Sequence, residues 1–301
     1  MKLKKRFALS LRNNLRFIPD EVFIRMCFKA KLHYKLDLDH PKTFNEKLQW
    51  CKLHYHNPVL TTLVDKYDVR SFVRERIGDE YLVPLYGVYD SVEDIDIDEL
   101  PEKFVLKCTH DSQSTIVCTD KSRFDFEVAK KRLRTALQRN WYWQGCREWA
   151  YRDITPRVVA EAYLDEPGRQ TPTDYKFYCF DGKAALVQTD ADRFTAHDMQ
   201  YFTPCWEQRG DINHEVSNRK PTEKPENYEL MLRLAETLAE GLPHVRVDLY
   251  NIAGKPFFGE MTFYTGGGFD PFYADEEQPD GLDCELGSKM ELPKTTTTGA
   301  C

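Results

Sequence analysis

VRVDLYNIAGKPFFGEMTFYTGGG, residues 245–268, is the stretch whose reading decides the fold. Val245, Val247 and Leu249 alternate with Arg246, Asp248 and Tyr250, the period-2 pattern of a half-buried strand. Residues 251–255, with Gly254, supply a turn. Phe257, Gly259, Met261 and Phe263 then alternate with Phe258, Glu260 and Thr262. A hairpin that closes over this turn pairs Asp248 with Glu260 and places Arg246 and Thr262 on the same face. Opposed carboxylates repel across a ladder. A divalent cation between them removes the conflict, because hard cations take carboxylate oxygens and bridge to substrate phosphates. An exposed hairpin face with merely solvated acids is the other reading.

Arg246 is placed to hold a phosphate or a developing anion. The run Gly266-Gly267-Gly268 lets backbone N–H groups come close to a ligand. Asp248 with Glu260 and Thr262 about a dozen residues on, followed by a glycine-rich turn, resembles the metal-binding end of the ATP-grasp fold. The chain as a whole resembles the TupA-like ATP-grasp proteins of cell-surface polysaccharide gene clusters. The segments that carry the likeness are TFNEKLQW (43–50), LVDKYDVR (63–70), FVLKCTH (104–110), REWAY (147–151), DYKFYCFDGK (174–183) and the hairpin itself, and they extend from about residue 15 to Pro293.

The resemblance implies an α+β protein with two α/β subdomains sandwiching a nucleotide, preceded by a mostly helical N-terminal region. The boundaries read as 1–100 for that region and 101–293 for the ATP-grasp domain. Within the domain, 101–165 forms the flap subdomain and 166–293 the metal-binding one, leaving 294–301 as a disordered tail. It also implies ATP and Mg²⁺ as cofactors, with Asp248, Glu260 and Thr262 toward metal and Arg246, Asp248 and Glu260 as catalytic residues. Lys66, Lys107 and Lys176 match phosphate-contacting lysines, and Ser112 and Ser114 lie on the phosphate flap. The backbone of Ala162 and Tyr163 falls where the family reads the adenine edge, with Glu161 accepting the exocyclic amine. The activity implied is a carboxylate–amine ligase that works through an acyl phosphate and amidates a uronic-acid carboxylate or similar saccharide acid.

The flap departs from the family pattern. Where relatives carry something like HGSGG, this chain has His110-Asp111-Ser112-Gln113-Ser114, and Asp111 puts a negative charge where phosphates are expected. This departure motivates a second reading, a non-catalytic nucleotide-binding protein of the same fold. A third comes from Asp190-Ala191-Asp192, a D-x-D triplet of the kind glycosyltransferases use to hold a metal and a sugar nucleotide.

Composition sets bounds on all three readings. At 301 residues the chain can bury a full core. A net charge of −7 argues against a general nucleic-acid surface. Nine scattered cysteines with no CxxC pair read as reduced thiols of a cytoplasmic protein, not as a disulfide or zinc framework. Cys108 and Cys118 read as buried thiols rather than nucleophiles. No apolar run reaches the roughly 20 residues of a membrane span. The basic, amphipathic residues 1–19 leave peripheral membrane contact open.

Along the chain, Asp20 is expected to cap a helix over Glu21–Ala30, and Thr43 with Glu46 forms a capping-box pattern. TFNEKLQW is then a capped packing helix or contacts substrate directly. Residues 61–77 read as one helix, with Lys66 and Arg70 a turn apart. Residues 91–100 are an acidic, exposed connection. Residues 141–151, dense in tryptophan and tyrosine, form either a sugar-stacking surface or core. Asp181-Gly182 turns a second hairpin. The helix at 227–240, bearing Leu230, Leu232, Leu234 and Leu238, is expected as the final one, packed beneath the metal hairpin.

Overall fold

A computed structural model of the chain describes residues 15–166, 171–191, 198–210, 212, 221–272 and 281–294. Four helices come first: α1 (Asp20–Leu32), α2 (Phe44–His54), α3 (Val59–Val64) and α4 (Val69–Arg76). Strands β1 (Leu85–Tyr89), β2 (Phe104–Cys108) and β3 (Ile116–Cys118) follow, then helices α5 (Phe126–Leu137) and α6 (Trp141–Gln144) and strand β4 (Val158–Ala162). The C-terminal half holds β5 (Asp174–Phe180), β6 (Lys183–Ala191), β7 (Asp198–Phe202), α7 (Tyr228–Ala239), β8 (His244–Ile252), β9 (Lys255–Thr262) and α8 (Leu282–Lys289).

The strands form two antiparallel sheets. The smaller has the order β1-β4-β2-β3 and the larger β7-β6-β5-β8-β9. The small sheet therefore begins at Leu85. Chain 82–89 ties the sheets together, since Leu82 bridges Phe258 of β9 before the chain enters β1.

Each sheet buries one face under a helix. On the small sheet Phe104, Leu106, Val158 and Ala160 pack with Ala129, Leu133 and Ala136 of α5. Val92, Ile95 and Leu100 join this core, so the acidic connection at 91–100 is not simply exposed. On the large sheet Phe177 of β5 stacks on Tyr228 of α7 at 6.1 Å. Tyr228, Met231, Leu234 and Leu238 of α7 are buried, three or four residues apart as a single helical face requires, with Ala235 and Ala239 beside them. Leu230 and Leu232 stand beside that face and are half-buried. Nor is α7 the last helix, because α8 follows and packs on α2.

The opposite faces of both sheets are polar near one end. Alternation puts Val105 and Lys107 of β2 beside Val159 and Glu161 of β4. It also puts Asp174 and Lys176 of β5 in register with Asp190 and Gln188 of β6 and with Tyr250 and Asp248 of β8. The turn of the β5–β6 hairpin has φ of 46° at Asp181 and 74° at Gly182, the left-handed pair that a two-residue turn needs.

Two helical expectations are corrected. Residues 61–77 are not one helix: α3 ends at Val64, and α4 begins at Val69. The cause is Asp65, whose Oδ1 accepts from the N–H groups of Tyr67 and Asp68 at 2.8 Å each, a side-chain turn that competes with the helix ladder. Asp20 makes no cap hydrogen bond and instead pairs with Arg147 at 2.8 Å. The amphipathic reading of residues 1–14, Asp192 of the D-x-D triplet, and the tail beyond 294 lie outside the described residues. Among the described residues no helix is long and apolar enough to cross a membrane.

Candidate functional site

Strands β8 and β9 pair Asp248 with Glu260 and Arg246 with Thr262, and Gly259 forms a bulge beside the acids. The four polar side chains share one face. Arg246 lies among them: Nε donates to Asp248 at 2.7 Å, and Nη2 donates to Asp248 at 2.7 Å, to Glu260 at 3.1 Å and to the Thr262 hydroxyl at 3.1 Å. Repulsion between the two carboxylates is thus offset by a bidentate guanidinium, the geometry in which charge-assisted bonds are strongest.

Lys176 on the neighbouring strand extends the cluster. Its Nζ is 2.8 Å from Asp248, 3.5 Å from Asp174 and 3.8 Å from Asp190. Four carboxylates therefore surround Arg246 and Lys176, and the Lys66 charge reaches Glu260 as well, so four anions face three cations. Burial raises the Glu260 carboxyl, but Lys66, Arg246, Lys176 and the Thr262 hydroxyl outweigh it and hold it down at about 2. The Arg246 guanidinium is held well above its usual range by Asp248 and Glu260 in spite of its burial.

Lys66 sits in the break between α3 and α4. Its backbone N–H donates to Thr109 O at 3.1 Å, and its Nζ donates to Asp111 O. Its charge also reaches Glu260, so the break brings the loop at 109–114 and the β8–β9 hairpin to one place. A continuous helix would have turned Lys66 through a different angle. Lys107, on the polar face of the small sheet, is paired at 2.5 Å with Glu161, which also meets Arg70 at 3.4 Å. Glu161 is thus a partner of two cations. The Ala162 N–H donates to Pro84 O at 2.9 Å and is spent there. The half-buried Tyr163 follows, its ring 5.7 Å from the Lys103 ammonium.

On the flap, Ser112 is exposed and Ser114 is not. Ser114 Oγ donates to Asp111 at 2.5 Å and accepts from the Cys108 N–H at 2.8 Å, which makes it a brace of the loop. The Asp111 carboxylate is turned inward onto Ser114 and is 2% exposed, so it does not project at a ligand as expected. Cys108 is buried with its thiol pushed up to about 12, chiefly by burial and then by Asp111, and burial also raises Cys118. Both thiols are buried, as expected. The eight described cysteines are free thiols.

The residues fit a hard divalent cation in part. Asp248 and Glu260 supply oxygen donors and Thr262 a hydroxyl, on a face where carboxylates outnumber cations. Among the described residues no three His, Cys, Asp or Glu side chains converge as a metal-ligand set.

The aromatic segment 141–151 packs. Trp143 stands 4.3 Å from the Arg147 guanidinium and Trp149 stacks on His56 at 4.9 Å, while Tyr142 and Arg147 are buried. Sequence reasoning missed a set of residues near the glycine turn. Asn45, Gln49 and Lys52 of α2 bond to its carbonyls, and Glu148 lies beside them. Their i, i+4, i+7 spacing was the available signal.

No curated protein matches the chain. Among solved structures it is similar to D-alanine–D-alanine ligase from Bacillus anthracis complexed with ATP, at 17% identity and a TM-score of 0.40, over 68% of this chain and 55% of that one. It is also similar to an L-amino acid ligase from Bacillus licheniformis, at 13% identity and a TM-score of 0.44, over 84% of this chain and 57% of that one. The chain thus spans little more than half the length of these two proteins. A family model described as TupA-like ATPgrasp matches residues 46–291, most of the chain, which therefore belongs to that family and has the ATP-grasp fold.

Proposed function

We propose that the protein is a Mg·ATP-dependent ligase that activates a carboxylate and joins it to an amine. The observation that carries this reading is the opposed pair Asp248 and Glu260, held in register by Arg246 and flanked by Lys176, on a face where carboxylates outnumber cations. Mg²⁺ bound at Asp248 and Glu260 would act as a Lewis acid that neutralises phosphate oxygens.

The chain's own residues do the rest. Lys66, Lys107 and Lys176 hold the triphosphate, with Lys107 trading Glu161 for a phosphate oxygen. Ser112 and the backbone of the flap cover it. Tyr163 and the backbone around it border the base. A carboxylate oxygen of the acceptor attacks the γ-phosphorus and ADP leaves, which gives an acyl phosphate. The amine nitrogen then attacks the acyl carbon, phosphate leaves, and the surplus ammonium proton goes to solvent. Arg246 and the Gly266–Gly268 turn stabilise the anion that develops at the acyl carbon. Thr262 orients Glu260 through its 3.1 Å hydrogen bond. The acceptor class, a uronic-acid carboxylate of a surface polysaccharide, and an amino-acid amine follow from the family resemblance.

The test is calorimetric titration of Mg·ATP into the wild type, Asp248→Asn and Glu260→Gln, followed by ADP release with galacturonic acid and L-glutamate. Binding should weaken by at least about tenfold in each variant, a loss of about 1.4 kcal/mol, with the wild-type melting curve retained. Equal binding by all three proteins would overturn the metal assignment.

A further inference from the structure

The turn that follows the metal hairpin is held from behind by one face of α2. Asn45 Nδ2 donates to Asp270 O at 2.7 Å. Gln49 Nε2 donates to Gly267 O at 3.1 Å and to Gly268 O at 2.5 Å. Lys52 Nζ donates to Gly267 O at 2.5 Å, to Gln49 Oε1 at 3.0 Å and to Cys146 O at 3.2 Å. Three polar side chains at i, i+4 and i+7 lie on one helical stripe, and all three reach carbonyls of residues 267–270. Each is buried: Asn45 and Gln49 are 0% exposed and Lys52 3%.

Burying a lysine and an amide in order to bond backbone carbonyls is costly unless their positions matter. The turn itself depends on glycine. Gly266, Gly267 and Gly268 have φ of 56°, 67° and 66°, and Gly268 leaves no room for a Cβ, which would stand 2.4 Å from Gln49 Nε2. Glu148 completes the cluster. Burial pushes its carboxyl up to about 8 against the pull of Lys52, and it stands within 3.5 Å of where a Gly267 Cβ would lie. Tyr151 lies in the fields of both Glu148 and Glu260, so the cluster adjoins the metal hairpin.

We propose that Gln49 and Lys52 are positioning residues that clamp the carbonyls of Gly267 and Gly268 and so fix the glycine turn as the acceptor-carboxylate side of the site. The acceptor role rests on the ligase reading above; the clamp does not. The TFNEKLQW segment is then neither plain packing nor a substrate contact. It is a capped helix that aims a loop. With the carbonyls fastened to α2, the turn cannot rotate, and its other edge meets the carboxylate at a set distance. Loss of the clamp should loosen acceptor binding and leave the nucleotide lysines, on other elements, undisturbed.

The experiment compares Gln49→Leu and Lys52→Met with Lys47→Met. Lys47 is a control on the same helix, whose Nζ bonds the carbonyls of Gly287 and Met290 on and beside α8 instead. Hydrogen exchange is followed over residues 264–271, and ADP release is measured with galacturonic acid, L-glutamate and Mg·ATP. Gln49→Leu and Lys52→Met should speed exchange in that segment by at least about threefold and raise the KM for galacturonic acid by about tenfold, roughly the worth of one charge-assisted hydrogen bond, with the KM for ATP unchanged. Lys47→Met should lower Tm without either effect. Unchanged exchange in both variants, or equal rises in both KM values, overturns the clamp. A wild type that binds Mg·ATP but releases no ADP with any acid overturns the ligase reading and the acceptor role with it, while exchange still decides the clamp.

Discussion

Asp248 is 2% exposed, and Arg246 and Lys176 place three hydrogen bonds on its two oxygens. A lone buried carboxylate could not persist there. Its pairing with Glu260 matches the sequence reading, but the two-residue turn alone would set Asp248 opposite Gly259; the Gly259 bulge restores the pairing and turns Phe258, not Phe257, into the core. The partners of Lys107 and Lys176 were not legible. Glu161 and Asp190 reach them through sheet pairings that no local pattern announces. Asp111 misled for a related reason: from sequence it is a charge in an anion-binding loop, but in the fold its side chain turns inward onto Ser114. The glycines allow a sharper prediction. Gly268 and Gly254 both have positive φ, 66° and 81°, yet only Gly268 is crowded, with Gln49 Nε2 at 2.4 Å and Leu48 Cβ at 3.0 Å from a built Cβ. Gly254→Ala should cost about 1 kcal/mol, the left-handed penalty alone. Gly268→Ala should cost about 2 kcal/mol more, since the neighbour that must give is held by two carbonyls. Chemical denaturation of the pair measures the difference, and equal losses would show that the turn is free to move off α2.

At the scale of elements, the clearest lesson is the break between α3 and α4. Residues 61–77 carry helix-compatible side chains throughout, and nothing in their periodicity marks residue 65. The break exists because Asp65 satisfies two backbone N–H groups itself and is gripped by Arg157 at 3.4 Å. The capping box of α2 was legible, being local: Thr43 Oγ1 accepts from the Glu46 N–H at 3.1 Å, and Glu46 accepts from the Thr43 N–H at 3.1 Å. The polar stripe on the same helix was present in the sequence too, but its target is more than 200 residues away. Thr43→Ala should destabilise the protein by about 1 kcal/mol, the usual worth of a cap. If α2 positions the glycine turn, the loss extends beyond stability. Exchange at residues 264–271 should quicken together with exchange in the first turn of α2, whereas a cap that matters only locally would leave the turn's exchange unchanged.

Over the whole molecule, two carboxyls set opposing pH slopes. Burial raises Asp283 from 3.8 to about 6, although it accepts from the Asn45 N–H at 2.8 Å and so fastens α8 to the start of α2. A carboxyl that is raised on folding favours the folded state fully below its unfolded value, and that contribution is lost as pH climbs through the folded value. Stability from Asp283 thus falls between pH 3.8 and about 6, by about 3 kcal/mol at most. Glu260 runs the other way. Its ordinary value of 4.5 drops to about 2, so its contribution is present above pH 4.5 and disappears as pH falls toward 2. The Glu260 side chain keeps 35% of its exposure, so water and salt screen part of that field, whereas Asp283 is 2% exposed and is screened far less. Melting curves from pH 3 to 7 separate the two. Relative to wild type, Asp283→Asn should gain Tm steadily from pH 4 to pH 6 and then level off, because asparagine keeps an acceptor for the Asn45 N–H without the buried charge. Glu260→Gln should instead lose Tm relative to wild type as pH rises from 3 to 5, and added salt should shrink that loss more than the Asp283 effect. A constant Tm offset for Asp283→Asn across the whole range would mean that the carboxyl binds its proton equally well folded and unfolded, as a group reached by water does, and the junction of α2 and α8 would then owe nothing to its protonation.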